Sequence, residues 1–179
     1  MTALKLSDEI EQKIAELWPR FPEDKVRKVL CLPVLYMASQ QFGRVDEEVI
    51  RLVAERLELP PAHVRGVATF YTMIETGEVG EFHLQICTNI GCMLEGAYDV
   101  LGRCKKRLGI EKNHGTSADG KITVSEVECL AACGYGPVAQ IAQKGKPDIP
   151  LYFEKLDEKR IDAIVDALLE GRVPVELGV

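Results

Sequence analysis

Phe82-His83-Leu84-Gln85-Ile86-Cys87-Thr88-Asn89-Ile90-Gly91-Cys92 is the stretch from which the fold of this 179-residue chain can be read. Its first five residues alternate apolar and polar, the period of a strand with one face buried. The strand then opens into a loop bounded by two cysteines with four residues between them. The arrangement returns downstream, where Ile122-Thr123-Val124-Ser125-Glu126-Val127 alternates and leads into Cys129-Leu130-Ala131-Ala132-Cys133. Thirty-six residues lie between the two cysteine pairs, so the chain must double back to unite them. Two strand ends side by side in one sheet would present four thiols at one edge of a domain.

Spacing narrows what those thiols can do. Zinc ribbons and fingers commonly pair their ligands across two residues, whereas here the gaps are four and three. A gap of four opens the plant-type 2Fe–2S pattern, but there a third cysteine follows after two more residues. This chain takes its second pair from far away instead. A 2Fe–2S cluster is wider than one zinc ion, so longer loops suit it. Spacing alone leaves open a cluster, a zinc site, two disulfides or four unrelated buried thiols. Cys31 and Cys104 complete the six cysteines. Cys31 falls in an apolar helical run and reads as a small buried hydrophobe. Cys104 falls twelve residues past Cys92, on what reads as one helix, about 18 Å along its axis and out of reach of the others.

C-x4-C, a long gap, then C-L-x-A-C-G resembles the thioredoxin-like 2Fe–2S ferredoxins. It is most similar to the NuoE type, the small iron–sulfur subunit of the NADH-dehydrogenase module of respiratory complex I. Val67-Ala68-Thr69-Phe70-Tyr71-Thr72-Met73 is similar to the same family, so the resemblance covers most of the chain. It implies that Cys87, Cys92, Cys129 and Cys133 bind one 2Fe–2S cluster. The chain would then be a one-electron carrier, part of an oxidoreductase but with no catalytic acid, base or nucleophile of its own. FMN and NADH are implied on a flavoprotein partner, not on this chain, with further complex I subunits as partners in an NADH:quinone oxidoreductase. The implied location is cytoplasmic, peripheral to the inner membrane through the complex. The alternatives are the equivalent subunit of an NAD-linked hydrogenase or formate dehydrogenase, and a zinc-stapled interaction protein. One departure is visible. The second cysteine loop continues as Gly134-Tyr135-Gly136-Pro137, where the family commonly has an Asn-Ala-Pro type of segment, which touches the local hydrogen bonding and not the ligands.

The composition agrees. The chain is 46% hydrophobic, enough for real cores in one large or two small domains. A formal charge of −6 argues against a nucleic-acid surface. The N-terminus lacks the apolar core of a signal peptide, and no stretch approaches the ~20 apolar residues of a membrane span, so direct membrane insertion is not expected. Six cysteines in such a chain favour metal or redox chemistry over structural disulfides. Gly134-Tyr135-Gly136-Pro137-Val138-Ala139 matches G-x-G-x-x-A, but it leads into a strand and is not read as a nucleotide loop.

Before the first strand the pattern is helical. Ser7 can cap a run with Ile10, Ile14, Leu17 and Trp18 inward. A second run reaches from Glu23 to Gly43, with a kink or break expected at Pro33. Asp46 can cap a third, and Pro60-Pro61 starts a fourth with Val64, Val67, Phe70, Tyr71 and Ile74 inward. His63 stands near no other ligand. These helices read as a small bundle, residues 1–77, with a scaffold or docking role.

After a turn-rich hinge at 75–80 the chain alternates strand and helix over residues 78–179. Strands are expected at 82–86, 121–128, 138–142 and 150–154. One helix is expected over 92–108, with Leu94, Ala97, Tyr98 and Leu101 inward, and another after the Asp157 cap, stapled by Leu156 and Ile161. Residues 113–120 read as a polar loop. Four strands with a helix on either flank fit the thioredoxin-like sandwich that the resemblance implies. The fold class is thus α/β, a helical bundle followed by a thioredoxin-like four-stranded domain bearing the cysteines. Gly91, Gly134 and Gly136 can let backbone N–H groups approach the sulfurs of a cluster carrying about −2 charges, or can simply form turns.

Overall fold

The computed structural model describes residues 4–144 and 146–178, with the backbone alone for 146–150. The first three residues of the N-terminal stretch considered above lie outside the described residues. The chain divides into two compact units, Met1–Glu78 and Val79–Val179, and each has its own apolar core.

The first unit holds four helices: α1 (Asp8–Leu17), α2 (Val26–Phe42), α3 (Glu47–Leu57) and α4 (Pro61–Phe70). Their ends follow from short polar side chains and one glycine. Ser7 Oγ accepts the Ile10 N–H at 3.3 Å, and Asp46 accepts those of Glu48 and Val49, both at 3.1 Å, which satisfies donors the helix cannot. Gly43 closes α2 in the left-handed conformation, φ 76°. Ile14, Leu30, Val34, Leu35, Val53 and Leu57 are fully buried between the helices. Two expectations change. Of the kink or break expected at Pro33, the break does not occur, since α2 runs through it with Leu30, Val34 and Leu35 around it buried in the core. Phe70 and Tyr71 are exposed: Phe70 lies off the face of α4 that buries Val64 and Ala68, and the helix ends before Tyr71, which turns to extended backbone.

The second unit is a five-stranded sheet with two helices packed on it and a short third in the first cysteine loop. Its elements are β1 (Phe82–Cys87), α5 (Ile90–Leu94), α6 (Ala97–Leu108), β2 (His114–Thr116), β3 (Ile122–Val127), β4 (Ala139–Gln143), β5 (Lys146–Phe153) and α7 (Glu158–Leu169). The sheet order is β2-β3-β1-β4-β5. β1 and β3 are parallel, and the other pairs are antiparallel. Phe82, Leu84 and Ile86 of β1 lie beside Ile122 and Val124 of β3 and Ile141 of β4. These side chains pack with Val100, Leu101 and Cys104 of α6 and with Ile161, Ile164, Val165 and Leu168 of α7 in one core. The two helices therefore share a core on the same face of the sheet, not one on either flank. They are strapped together, since Arg103 reaches Asp162 with bonds of 2.9 and 2.6 Å and Arg107 reaches it at 3.1 Å.

Three further expectations change. The polar loop at 113–120 contains β2, a fifth strand only three residues long. The helix expected over 92–108 is two helices, divided at Gly96, which takes φ 91° and starts α6. Leu94 is exposed because the break turns α5 out of the phase of α6, and Tyr98 because it lies off the face of α6 that buries Ala97, Leu101, Cys104 and Leu108. Finally, β1 is buried along both faces, not one. Its second face is polar yet satisfied: His83 Nε2 lies 2.6 Å from Ser125 Oγ, Ser125 Oγ lies 2.7 Å from His114 Nδ1, and Gln140 donates to Gln85.

Candidate metal centre

The sheet delivers both cysteine loops to one edge. Cys87 ends β1 directly opposite Val127 of β3, and since the strands are parallel, both loops leave at the same end. Backbone bonds then tie the loops to the sheet. The Cys87 N–H donates to the Val138 carbonyl at 2.9 Å, and the Thr88 N–H donates to that of Val127 at 3.0 Å. Cys92 follows on α5, whose N-cap Asn89 accepts the Ile90 N–H at 2.9 Å. Cys133 opens a 3-10 turn, Cys133–Tyr135. The loops touch: a methyl group built on Gly91 would stand 3.6 Å from Cys133 Cβ, and one on Gly136 only 3.3 Å from Cys92 Cα.

The four thiols form two unlike pairs. Cys87 and Cys92 are buried and interact directly, whereas Cys129 and Cys133 are exposed. The sulfurs of Cys129 and Cys133 are 3.9 Å apart, close to the ~3.8 Å that a tetrahedral angle on a metal–sulfur bond of about 2.3 Å demands of two ligands on one ion. The loops are close enough for Cys87 to raise the Cys133 thiol and for Cys133 to raise that of Cys92. Burial, then the neighbouring Cys87 thiol, pushes the Cys92 thiol up to about 11. Cys129 raises that of Cys133. Among the described residues no three His, Cys, Asp or Glu side chains converge on one point. The four thiols lie as two pairs in touching loops, and each pair could serve one iron of a two-iron centre.

The backbone around the sulfurs is shaped for them. Ala131, inside the second pair, is held at φ 59°, a left-handed conformation that costs an alanine about 1–2 kcal/mol. It aims its N–H at Cys129 Sγ, 3.3 Å away. Cys87 Sγ lies 3.6 Å from the Glu128 carbonyl. Of the three glycines singled out from the sequence, Gly136 is the one at which a side chain would crowd a cysteine. Gly91 has ordinary room and Gly134 faces open space. An all-sulfur donor set, N–H support at one sulfur and a close approach beside another fit a 2Fe–2S group.

The remaining cysteines stand apart. Cys31 is buried in the helical unit and Cys104 in the core between sheet and helices. Burial pushes their thiols up to about 11 and about 12, which leaves them inert. Cys104 is excluded by that core, not by distance along a continuous helix. His63 lies on α4 among Ala62, Val67 and Phe70. The Gly134–Ala139 segment runs from the 3-10 turn straight into β4, with no helix to receive a phosphate. Sequence reasoning missed Glu126, whose carboxylate accepts from Thr88 Oγ1 at 2.9 Å and from the Tyr98 hydroxyl at 3.3 Å. The signal was there, since Glu126 interrupts the apolar phase set by Ile122 and Val124.

Comparison with known proteins points the same way. Residues 14–169 match the family model of the thioredoxin-like [2Fe-2S] ferredoxins. Similar curated proteins are E subunits of NADH-quinone oxidoreductases. That of Rickettsia felis is 37% identical over 148 residues, 82% of this chain and 83% of its own. The one numbered 2 of Rhizobium meliloti is 35% identical over 164 residues, 92% of this chain and 89% of its own. Among solved structures, an air-oxidised NAD+-reducing [NiFe]-hydrogenase superposes with a TM-score of 0.66 at 18% identity, over 81% of this chain and 25% of the hydrogenase chain. That last likeness is one of fold. With the family model spanning the sheet, both cysteine loops and most of the helical unit, this chain belongs to the thioredoxin-like [2Fe-2S] ferredoxin family.

Proposed function

We propose that the chain is the 2Fe–2S electron-transfer subunit of an NADH-oxidising complex, with its cluster on Cys87, Cys92, Cys129 and Cys133. The observation that carries this is the meeting of the two cysteine loops at adjacent parallel strand ends. A bound 2Fe–2S centre would supply uptake and release of one electron at a time, suited to follow a flavin that has split a hydride's pair. The chain's own residues do the rest. Cys87 and Cys92 anchor the inner side out of water, and the Ala131 N–H supports the outer sulfur of Cys129. Ile90, Met93 and Leu94 on α5 and Tyr135 are exposed beside the outer pair, an apolar border against which a redox partner can exclude water.

The related E subunits of NADH-quinone oxidoreductases support an NADH:quinone complex as the setting. In it FMN and NADH sit on a flavoprotein partner, further subunits complete the assembly, and the helical unit serves as docking surface. Among the described residues no helix is long and apolar enough to cross a membrane, so attachment to the inner membrane, on its cytoplasmic side, would come through partners. The hydrogenase likeness favours a second reading, the same subunit in an NAD-linked hydrogenase. The identities weigh against it, at 37% and 35% for the E subunits and 18% for the hydrogenase.

Absorption spectroscopy with iron and sulfide analysis tests the proposal. The chain is expected to be brown, to bleach with dithionite and to hold two irons per polypeptide. Cys129→Ala should lose the colour, while Cys31→Ala and Cys104→Ala keep it. A colourless zinc protein, or an unchanged spectrum in Cys129→Ala, would sink the assignment.

A further inference from the structure

We propose that Glu126 lowers the reduction potential of the centre by holding one uncompensated negative charge against the first cysteine loop, fixed there by Thr88 and Tyr98. The inference rests on the reading that the four cysteines hold a cluster. Glu126 shares the face of β3 with Ile122 and Val124, and its partner across the parallel pair is Ile86. The carboxylate thus stands, half-buried, where an apolar side chain would continue the core. A carboxylate so placed for stability alone is usually met by Lys or Arg. Here one oxygen accepts two neutral hydroxyls, Thr88 at 2.9 Å and Tyr98 at 3.3 Å, and among the described residues no cation pairs with it.

Thr88 directly follows Cys87. Its N–H is already bound to the Val127 carbonyl, so backbone and side chain together pin it to two successive residues of β3. Tyr98 brings the start of α6 to the same oxygen. The three residues therefore keep a full charge from swinging into solvent, where water and salt would screen it. A negative charge fixed beside a centre of about −2 opposes the arrival of another electron and lowers the potential.

Redox titration of the full chain, followed by absorption and electron paramagnetic resonance, tests this. Glu126→Gln keeps an oxygen for both hydroxyls and removes only the charge. It is expected to move the midpoint to a more positive potential, with iron, sulfide and unfolding midpoint as in the parent. Thr88→Val, which leaves the charge but frees it, should move the midpoint the same way by less and alter the resonance line shape. The control is Glu81→Gln, six residues before Cys87 and so about 20 Å along the strand, which should leave the midpoint in place. A midpoint in Glu126→Gln that is unchanged, more negative, or shifted no further than in Glu81→Gln overturns the inference. Loss of the cluster in Glu126→Gln also overturns it, because Glu126 would then be a structural requirement. A parent chain without a 2Fe–2S spectrum refutes the underlying reading instead, so the two failures are distinguishable.

Discussion

Gly136 has little room for a methyl group. Its Cβ would come 3.3 Å from Cys92 Cα and 3.5 Å from Cys92 Sγ, whereas Gly134, two residues earlier, faces open space. Gly136→Ala should therefore push α5 and its cysteine outward, costing about 1–3 kcal/mol and perturbing the visible spectrum. Gly134→Ala should change stability by no more than about 0.5 kcal/mol. Urea unfolding of the two variants beside the parent checks the contrast, and equal values would show that the loop yields freely. At this scale the four thiols were legible because cysteine spacing is written in the sequence. The supporting residues were not. The role of Gly136 depends on which loop lies against it, and that of Ala131 on a left-handed φ that no alanine advertises. Glu126 came closest to being readable, as a charge on the apolar phase of a strand.

Between elements, α6 and α7 are joined by an ion pair that pH can release. Arg103, and after it Arg107, draw the Asp162 carboxyl down to about 2. An unfolded aspartate titrates near 3.9. A group with a depressed folded pKa adds stability that is present above its unfolded pKa and is lost as pH falls through the folded one. Asp162→Asn should thus destabilise the protein at pH 7, and the gap should narrow below about pH 4 and close near 2. Denaturant midpoints of parent and variant across that range measure it, and a gap independent of pH would show that packing, not charge, was lost. Helices α1, α3 and α7 were readable because Ser7, Asp46 and Asp157 declare their starts and cap them in fact. The division of α5 from α6 was not, since Leu94, Ala97, Tyr98 and Leu101 keep helical spacing across it. Gly96 was the signal, a helix breaker in a run that otherwise keeps its period. Strand β2 was hidden by its brevity, because three polar residues cannot show a period.

Across the whole chain, the two cores share no residue, and all four candidate thiols lie in the second unit. Removing residues 1–78 should leave a folded, brown, reducible protein of about a hundred residues, a size at which domains are stable though not generously so. The first unit exposes Phe70, Tyr71 and Met73 together at and after the end of α4. If that unit docks the chain, the truncated protein should fail to capture the flavoprotein in a pull-down that the full chain passes. Equal capture would put docking on the cluster unit, and a colourless product would make the helices part of its fold. The parallel pairing of β1 with β3 adds an order of events. Parallel neighbours cannot be joined by a tight turn, so the chain between the end of β1 at Cys87 and the start of β3 at Ile122 must cross over before the loops meet. During synthesis the first pair emerges well ahead of the second, and a chain still unfolded offers half a ligand set. On the proposed assignment of the four thiols to one cluster, iron should be taken up only after the sheet has closed, which would make the centre a checkpoint on completed folding.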